Sequence, residues 1–319
     1  MAPAVTVERT RDGAHGDFSS NIAMRLAKAL GRDPREVAQT LVEALPASPL
    51  VSKVEVGGNG FINFFLAADA LAREIRRIHE LGDAYGRSSG GAGQRVTVEV
   101  ISDPVDLAEA RRAAHNEALA NVLDVAGYEV QREPGGPQSP GGWEGRSELL
   151  SRPAIEGLSL RELREQLGAD ACRFFFLMRD FNLKLATART NDNPLYCVQY
   201  AHARVASAMK EVKARGISFD RVAALDKLEL LDKATEQALI AALLRFPEEV
   251  ESAAANCAPH SIVYYLRELA NAFHTYYNTE TWFVAEDDLR SARLALVLAA
   301  GQVIRNGLRL IGVSAPESM

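Results

Sequence analysis

Near the middle of the chain, Pro134-Gly135-Gly136-Pro137-Gln138-Ser139-Pro140-Gly141-Gly142 packs three prolines and four glycines into nine residues. Proline lacks a backbone donor and glycine carries a large entropic cost of ordering, so neither a helix nor a central strand can pass through this run. We read 134–146 as a Pro/Gly linker. It leaves little room for what precedes it. Val96-Thr97-Val98-Glu99-Val100-Ile101 reads as a mostly β-branched strand, Leu107 to Val125 has helical character, and Tyr128-Glu129-Val130 reads as a second strand. These make one β-α-β fragment, too short to form its own domain.

Beyond Leu158 glycine and proline are sparse and the pattern is helical to the end. Leu289, Ala292, Leu296, Ala299, Val303 and Leu310 follow helical steps with one skipped turn, as do Ile262, Leu266, Leu269 and Phe273 one helix earlier. Such stripes bury against neighbouring helices, so we expect a helical bundle over 159–319. In front of the fragment, Ile22, Leu26 and Leu30 set one helix within 20–30, and Asp33-Pro34-Arg35-Glu36 supplies the N-cap, first-turn proline and capping-box glutamate of another. Val54-Glu55-Val56 and Phe61-Ile62-Asn63-Phe64-Phe65 flank Gly57-Gly58-Asn59-Gly60 as two strands and a tight turn. A helix carrying Leu71, Ile75 and Ile78 then ends near Gly82. Mixed helices and strands over 1–87 indicate an α+β domain. The Ser/Gly stretch 88–93 marks its end, and 88–158 holds the fragment and linker.

The chain of 319 residues, 47% hydrophobic and 24% charged, is expected to be soluble and globular; no run of about eighteen apolar residues and no secretory order at the N-terminus point to a membrane, and the cytoplasm is the expected address. Three distant cysteines suit neither a disulfide framework nor zinc, and the six histidines lack metal-ligand spacing. Gly90-Gly91-Ala92-Gly93 precedes a strand instead of opening a helix after one, so it reads as a linker and not as a phosphate loop. No cofactor or metal is expected. A net charge of −6 argues against binding nucleic acid through bulk positive charge, which leaves a local basic face.

Asp106 and Glu109 suit a helix N-terminus, where carboxylates meet the dipole favourably; acid/base or metal chemistry is the less favoured alternative. His15 and Asn21 either contact RNA or organise the turn before the first helix. Phe61 and Asn63 alternate with Ile62 and Phe64, so one pair faces the core; an exposed aromatic beside an amide suits stacking on an unpaired base, whereas burial of both pairs is the other reading. Tyr196, Tyr200 and Arg204 share one helix face, as do Gln199 and His202, in a region that also holds Arg173, Arg179, Lys184 and Arg189. They present a surface to RNA or pack between helices.

Several of these segments resemble the arginyl-tRNA synthetase family, in the family's order. His15-Gly16-Asp17-Phe18-Ser19-Ser20-Asn21 and Gly60-Phe61-Ile62-Asn63-Phe64 are similar to its N-terminal domain, which packs on the tRNA elbow. Asp192-Asn193-Pro194-Leu195-Tyr196 through Arg204 is similar to the opening of its anticodon-binding helical domain. The stretch from Leu266 to Asn278, Asp287 to Leu294 and the ending Gly312 to Met319 resemble its C-terminus. The resemblance implies RNA contacts at Phe61, Asn63, Tyr196, Gln199, Tyr200, Arg204, Tyr276, Asn278 and Met319, and places Tyr277 beside them at the border of the anticodon pocket.

Other segments depart from the family. Where its pattern places two phosphate-binding imidazoles after Asn-Pro, this chain has Asp103-Pro104-Val105-Asp106-Leu107-Ala108-Glu109, and the counterpart of its Lys-Met-Ser-Lys loop is Leu149-Leu150-Ser151-Arg152-Pro153. Asp106, Glu109, Ser151 and Arg152 are thus read as degenerate remnants of an ATP site, with carboxylates where a triphosphate would sit. The fold expected is an α+β N-terminal domain, a short β-α-β remnant of a Rossmann-type catalytic domain, and an all-α anticodon-binding-like bundle. The function expected is tRNA binding, tRNA-Arg favoured, without aminoacylation, in an accessory or regulatory role. Two alternatives stay open: a protein-protein adaptor that has lost RNA binding, and an enzyme of a tRNA-dependent pathway with a new site. Loss of a middle domain would expose surface, so a protein partner or homo-oligomer is also expected.

Overall fold

Asp33 accepts hydrogen bonds from the backbone N–H groups of Arg35 and Glu36 at 2.8 and 3.2 Å, and Pro34 opens the helix it caps, α2 (Pro34–Ala44). The N-cap and first-turn proline are those the Asp-Pro spacing dictates, while the glutamate expected to close a capping box, Glu36, instead pairs with Arg32 at 3.7 Å. In the computed structural model, residues 5–10, 13–67, 69–134, 158–178 and 182–319 are described. The chain divides into two units, Met1–Glu74 and Ile75–Met319.

The first unit is a four-stranded antiparallel sheet carrying α1 (Ile22–Leu30) and α2. Its strands are β1 (Glu8–Arg9), β2 (Phe18–Ser20), β3 (Val51–Gly57) and β4 (Phe61–Leu66), ordered β1-β2-β4-β3. The hairpin expected from the glycine-rich turn is β3–β4, with Val54 opposite Phe64 and Val56 opposite Ile62. Ile62 is buried with Ile22, Ala23, Ala27, Val37 and Ala38, and Val54, Val56 and Phe64 pack against them. The strands β1 and β2 were not expected. Ser20, read as the start of a helix, ends β2 instead, and its hydroxyl donates to the Thr6 carbonyl at 2.6 Å. Strands of two and three residues are too short to show an alternating pattern.

Gly16 explains how β2 reaches β4. Its φ is +81°, and a Cβ there would lie 2.6 Å from the Phe64 carbonyl oxygen, so only glycine lets the chain pass this close. Asp17 then donates its N–H to that oxygen at 2.8 Å, and its carboxylate accepts the Leu66 N–H at 2.8 Å.

In the second unit β5 (Arg95–Val100) and β6 (Glu129–Pro134) pair in parallel across α4 (Leu107–Val125), with Arg95 opposite Glu129 and Val100 opposite Pro134. The expected β-α-β order is therefore present, with a longer second strand. Pro134 ends β6, where a missing donor costs no ladder bond; the rest of the linker, 135–146, lies outside the described residues. From Leu160 onward the described elements are helical. They are α5 (Leu160–Leu167), α6 (Ala169–Leu177), α7 (Leu183–Thr187), α8 (Pro194–Ala214), α9 (Arg221–Leu225), α10 (Ala234–Leu244), α11 (Phe246–Ala255), α12 (His260–Thr279) and α13 (Asp287–Leu310). An α-helix, α3 (Ala70–Leu81), spans the division between the two units.

The two stripes expected to be core are core except at Leu289, in the first turn of α13, which is half-buried. Ile262, Leu266, Leu269 and Phe273 of α12 and Leu296, Ala299 and Val303 of α13 are fully buried. Gly301 lets α13 approach α8, since a Cβ there would meet Val205 at 2.7 Å. Arg293 and Glu236 form a buried pair at 2.7 Å among these helices; Arg293 also donates to the Thr281 carbonyl at 2.6 Å and reaches Glu280 at 3.4 Å. Such a pair persists only because its hydrogen bonds are met on every side.

Candidate nucleic-acid interface

The start of α8 is set by Asn193. Its side-chain oxygen accepts the N–H groups of Leu195 and Tyr196 at 3.0 and 3.3 Å, while its amide donates to the carbonyls of Ala186 and Ala188 at 3.1 and 2.8 Å. Pro194 occupies the first helical position, where its missing N–H costs nothing. The cap fixes the phase of α8, and with it the direction of Tyr196, Tyr200 and Arg204 at steps of four.

Those three side chains meet. The Tyr196 and Tyr200 rings stack with centroids 5.6 Å apart and planes 25° from parallel. The Arg204 guanidinium lies 4.7 Å from the Tyr200 centroid and 4.6 Å from that of Tyr277, which comes from α12. It also donates to the Asn278 side-chain oxygen at 2.9 Å and contacts His274 Nδ1 at 3.3 Å. His274 Nε2 lies 3.0 Å from the Cys197 carbonyl, which only accepts, so Nε2 carries the proton and Nδ1 receives the Arg204 N–H. Burial holds the His274 pKa below its ordinary value, the Arg204 charge lowers it further, and the neutral ring fits this pattern.

The aromatic surface continues past Arg204. Tyr277 lies 5.2 Å from Trp282, Trp282 stacks on Phe283 at 4.5 Å, and the Arg215 guanidinium covers Phe283 at 4.2 Å. Tyr196, Tyr200, Tyr277 and Phe283 are partly exposed while Trp282 is buried beneath them, and partly exposed rings interleaved with guanidinium groups suit the stacking of unpaired bases beside phosphates. Of these, the resemblance had pointed to Tyr277; sequence reasoning had not placed His274, Trp282, Phe283 or Arg215 in the site. The helical phase of α12 held one usable signal: Tyr276 follows Phe273 by three and continues the core stripe, which turns Tyr277 towards the surface.

The other expected site residues lie elsewhere. Gln199 donates to the Asp170 carboxylate and to the Ser314 carbonyl, both at 3.1 Å, and so ties down the C-terminal tail; His202 Nδ1 meets the Pro316 carbonyl at 2.9 Å. Met319, at the end of that tail, is 57% exposed. Tyr276 is 0% exposed, and its hydroxyl has no hydrogen-bond partner among the described residues. It therefore presents no surface to RNA here, because the core stripe continues through it.

Phe61 is exposed and Asn63 is buried on β4, in the first unit. Asn63 is covered by its strand neighbours: Ser19 donates to its side-chain oxygen at 2.9 Å, and a Cβ on Gly57 would strike its amide at 2.6 Å. His15 and Asn21 are exposed. Arg173 pairs with Glu117 at 3.2 Å, Lys184 and Arg189 are exposed, and Arg179 lies outside the described residues.

Asp106 caps α4, accepting the Glu109 N–H at 2.8 Å, and Glu109 reaches back to accept the Val105 N–H at 3.0 Å. Both carboxylates thus serve the helix start. Ser151 and Arg152 lie outside the described residues. Among the described residues no group of three or more His, Cys, Asp or Glu side chains could hold a metal, and no helix is long and apolar enough to cross a membrane. Burial raises the pKa of the Cys172 and Cys197 thiols, which suits packing and not reactivity.

Residues 2–66 match the family model described as the arginyl tRNA synthetase N terminal domain, and residues 198–319 match that of the DALR anticodon binding domain. An arginine–tRNA ligase of Thioalkalivibrio sulfidiphilus is 28% identical over 559 positions, covering 99% of this chain and 95% of the relative. One from Coxiella burnetii is 27% identical, covering 100% and 96%. The fold is similar to that of Thermus thermophilus arginyl-tRNA synthetase, with a TM-score of 0.74 at 16% identity over 99% of this chain and 96% of that one. An arginyl-tRNA synthetase of Plasmodium falciparum gives 0.65 at 10% identity over 100% and 96%. The chain belongs to the arginyl-tRNA synthetase family, with its N-terminal and anticodon-binding domains.

Proposed function

We propose that this chain binds tRNA, with tRNA-Arg favoured, and does not aminoacylate it, acting as an accessory or regulatory tRNA-binding member of its family. The observation that carries the binding half is the Tyr196–Tyr200–Arg204–Tyr277 surface, which lies within the anticodon-type helical region and joins aromatic faces to a guanidinium. An isolated face of this kind offsets the net charge of −6, because recognition depends on local and not on total charge.

Two observations support the absence of charging. Asp106 and Glu109 put two carboxylates at the position where the family pattern has phosphate-binding imidazoles, and both are engaged with backbone N–H groups of the α4 start. Negative charge there opposes the electrostatic stabilisation that adenylate formation needs. The alignment with the Thioalkalivibrio ligase also spans 559 positions against a chain of 319 residues, so a large part of that relative's length faces no residue here.

The test is retention of total tRNA by the purified chain across a salt series, with sequencing of what is bound, beside an arginine-dependent ATP/pyrophosphate exchange assay. Retention with log affinity falling by about 0.7–0.9 per phosphate contact for each tenfold rise in salt is expected, with no exchange. Exchange above background, or no retention at low salt, refutes the reading.

A further inference from the structure

On the far side of α8 from the aromatic surface, a cavity of about 490 Å³ opens between α3, α8, α9 and α13. Lys213 follows Arg204 by nine residues, which at about 100° per residue is half a turn of the helix away, so the two surfaces are separate. Lys210, Lys213, Arg221 and Arg305 line the cavity, and one carboxylate, Glu317 of the C-terminal tail, joins them. Arg305 lies 3.8 Å from Asp83. Lys210, Lys213 and Arg221 have no ion pair among the described residues. Burial lowers the His79 pKa and the Arg221 charge lowers it further, so the ring lining the inner wall is neutral; its Nε2 bonds the Ala295 carbonyl at 2.9 Å.

Lys210, Lys213 and Arg221, facing the single carboxylate of Glu317, leave a surplus of positive charge in the cavity. The floor beneath them is apolar, built from Val205, Met209 and Leu298. Cations at the rim, an apolar floor and a volume in the range of small-molecule sites fit a ligand that joins several phosphate charges to a flat, weakly polar body. We propose that this cavity binds a phosphorylated ligand of nucleotide size, its phosphates held by Lys210, Lys213 and Arg221 and its body resting on Val205, Met209 and Leu298. The ligand is either a free nucleotide or one nucleotide of an RNA strand. The proposal does not rest on the tRNA-binding reading.

The test titrates ADP, and separately inorganic pyrophosphate and total tRNA, into the full chain by calorimetry. The same titrations are made with Lys210→Ala, Lys213→Ala and Arg221→Ala. All three positions are exposed, so the variants are expected to fold, which circular dichroism checks. Arg161→Ala, an exposed cation of α5 outside the cavity, is the control. Each cavity variant is expected to weaken binding about tenfold, the loss of one charge-assisted hydrogen bond, with no change in the control. If ADP responds to the cavity variants and tRNA does not displace it, the ligand is a free nucleotide. If tRNA displaces ADP, or tRNA affinity alone responds, it is an RNA nucleotide. Neither ADP, pyrophosphate nor tRNA responding to the variants overturns the proposal, and does so whether or not tRNA binds elsewhere.

Discussion

Arg204 sits between two tyrosines from different helices, its guanidinium carbon 4.7 Å from the Tyr200 centroid and 4.6 Å from that of Tyr277. Stacked planar groups joined by a permanent charge are ordered before any ligand arrives, which lowers the entropic cost of binding. Removing the guanidinium by Arg204→Ala is expected to weaken tRNA affinity by about 1–3 kcal/mol, the range of one stacked or cation-supported contact. Arg204→Lys, which keeps the charge and loses the plane, should recover less than half of it. Filter binding at fixed salt measures both.

Tyr276 and Tyr277 should separate cleanly. The Tyr276 hydroxyl is buried without a hydrogen-bond partner among the described residues, so Tyr276→Phe removes an unsatisfied group and is expected to raise stability by about 1 kcal/mol while leaving tRNA affinity unchanged. Tyr277→Ala should do the reverse, with tRNA affinity falling about tenfold. Urea denaturation beside the binding assay reads the contrast.

The Glu236–Arg293 pair is enclosed by α10 and α13, with side-chain exposures of 0% and 5%. Glu236→Ala leaves a buried guanidinium with the Thr281 carbonyl and, as its remaining carboxylate, only the longer contact to Glu280, and we expect it to cost about 3–5 kcal/mol. Replacing both members, Glu236→Leu with Arg293→Met, should restore most of the loss. The urea midpoints of the single and double variants form the cycle.

Acid should destabilise the fold through its buried histidines. Burial holds the His115 pKa down to about 3 from an ordinary 6.5, and His79 and His274 are shifted the same way by burial. The folded state therefore refuses a proton that the unfolded chain accepts. Stability is full above pH 6.5 and falls as pH drops through the window down to about 3. His115 alone contributes a loss of about 2 kcal/mol between pH 7 and pH 5. His115→Gln should flatten that part of the dependence, which urea midpoints at the two pH values will show.

If Asp106 serves the helix start, Asp106→Ala should cost about 1 kcal/mol of stability by uncapping α4, and should leave pyrophosphate exchange absent. A gain of exchange on removing that charge would assign it a role at a nucleotide site.

Much of the architecture was legible because it depends on local rules. The Asp33 cap, the β3–β4 hairpin and the core stripes of α12 and α13 follow from residue spacing that any chain with those residues would obey. The strand β2 escaped notice because it is held by a neighbour distant in sequence, with Ser19 paired to Asn63 and Gly16 against Phe64, and β1 because its two residues pair only with β2. In the candidate site, Tyr196, Tyr200 and Arg204 were visible together because one helix face carries them. Trp282, Phe283 and Arg215 were not, because they reach that face from separate segments.

The amino-acid sequence by itself determined the β3–β4 hairpin, the β-α-β order of β5, α4 and β6, the helix phases of α8, α12 and α13 and the family, all of which are properties of residue type and spacing along the chain. Only the tertiary structure decided which tyrosine of the adjacent pair is core, that Gln199 holds the C-terminal tail, and that Lys210, Lys213 and Arg221 share one cavity. The physical reason is that burial and electrostatic environment are set by groups arriving from elsewhere in the chain. A helical period names the face on which a side chain lies, but the neighbours that cover it, pair with it or leave it charged are fixed only when the helices pack.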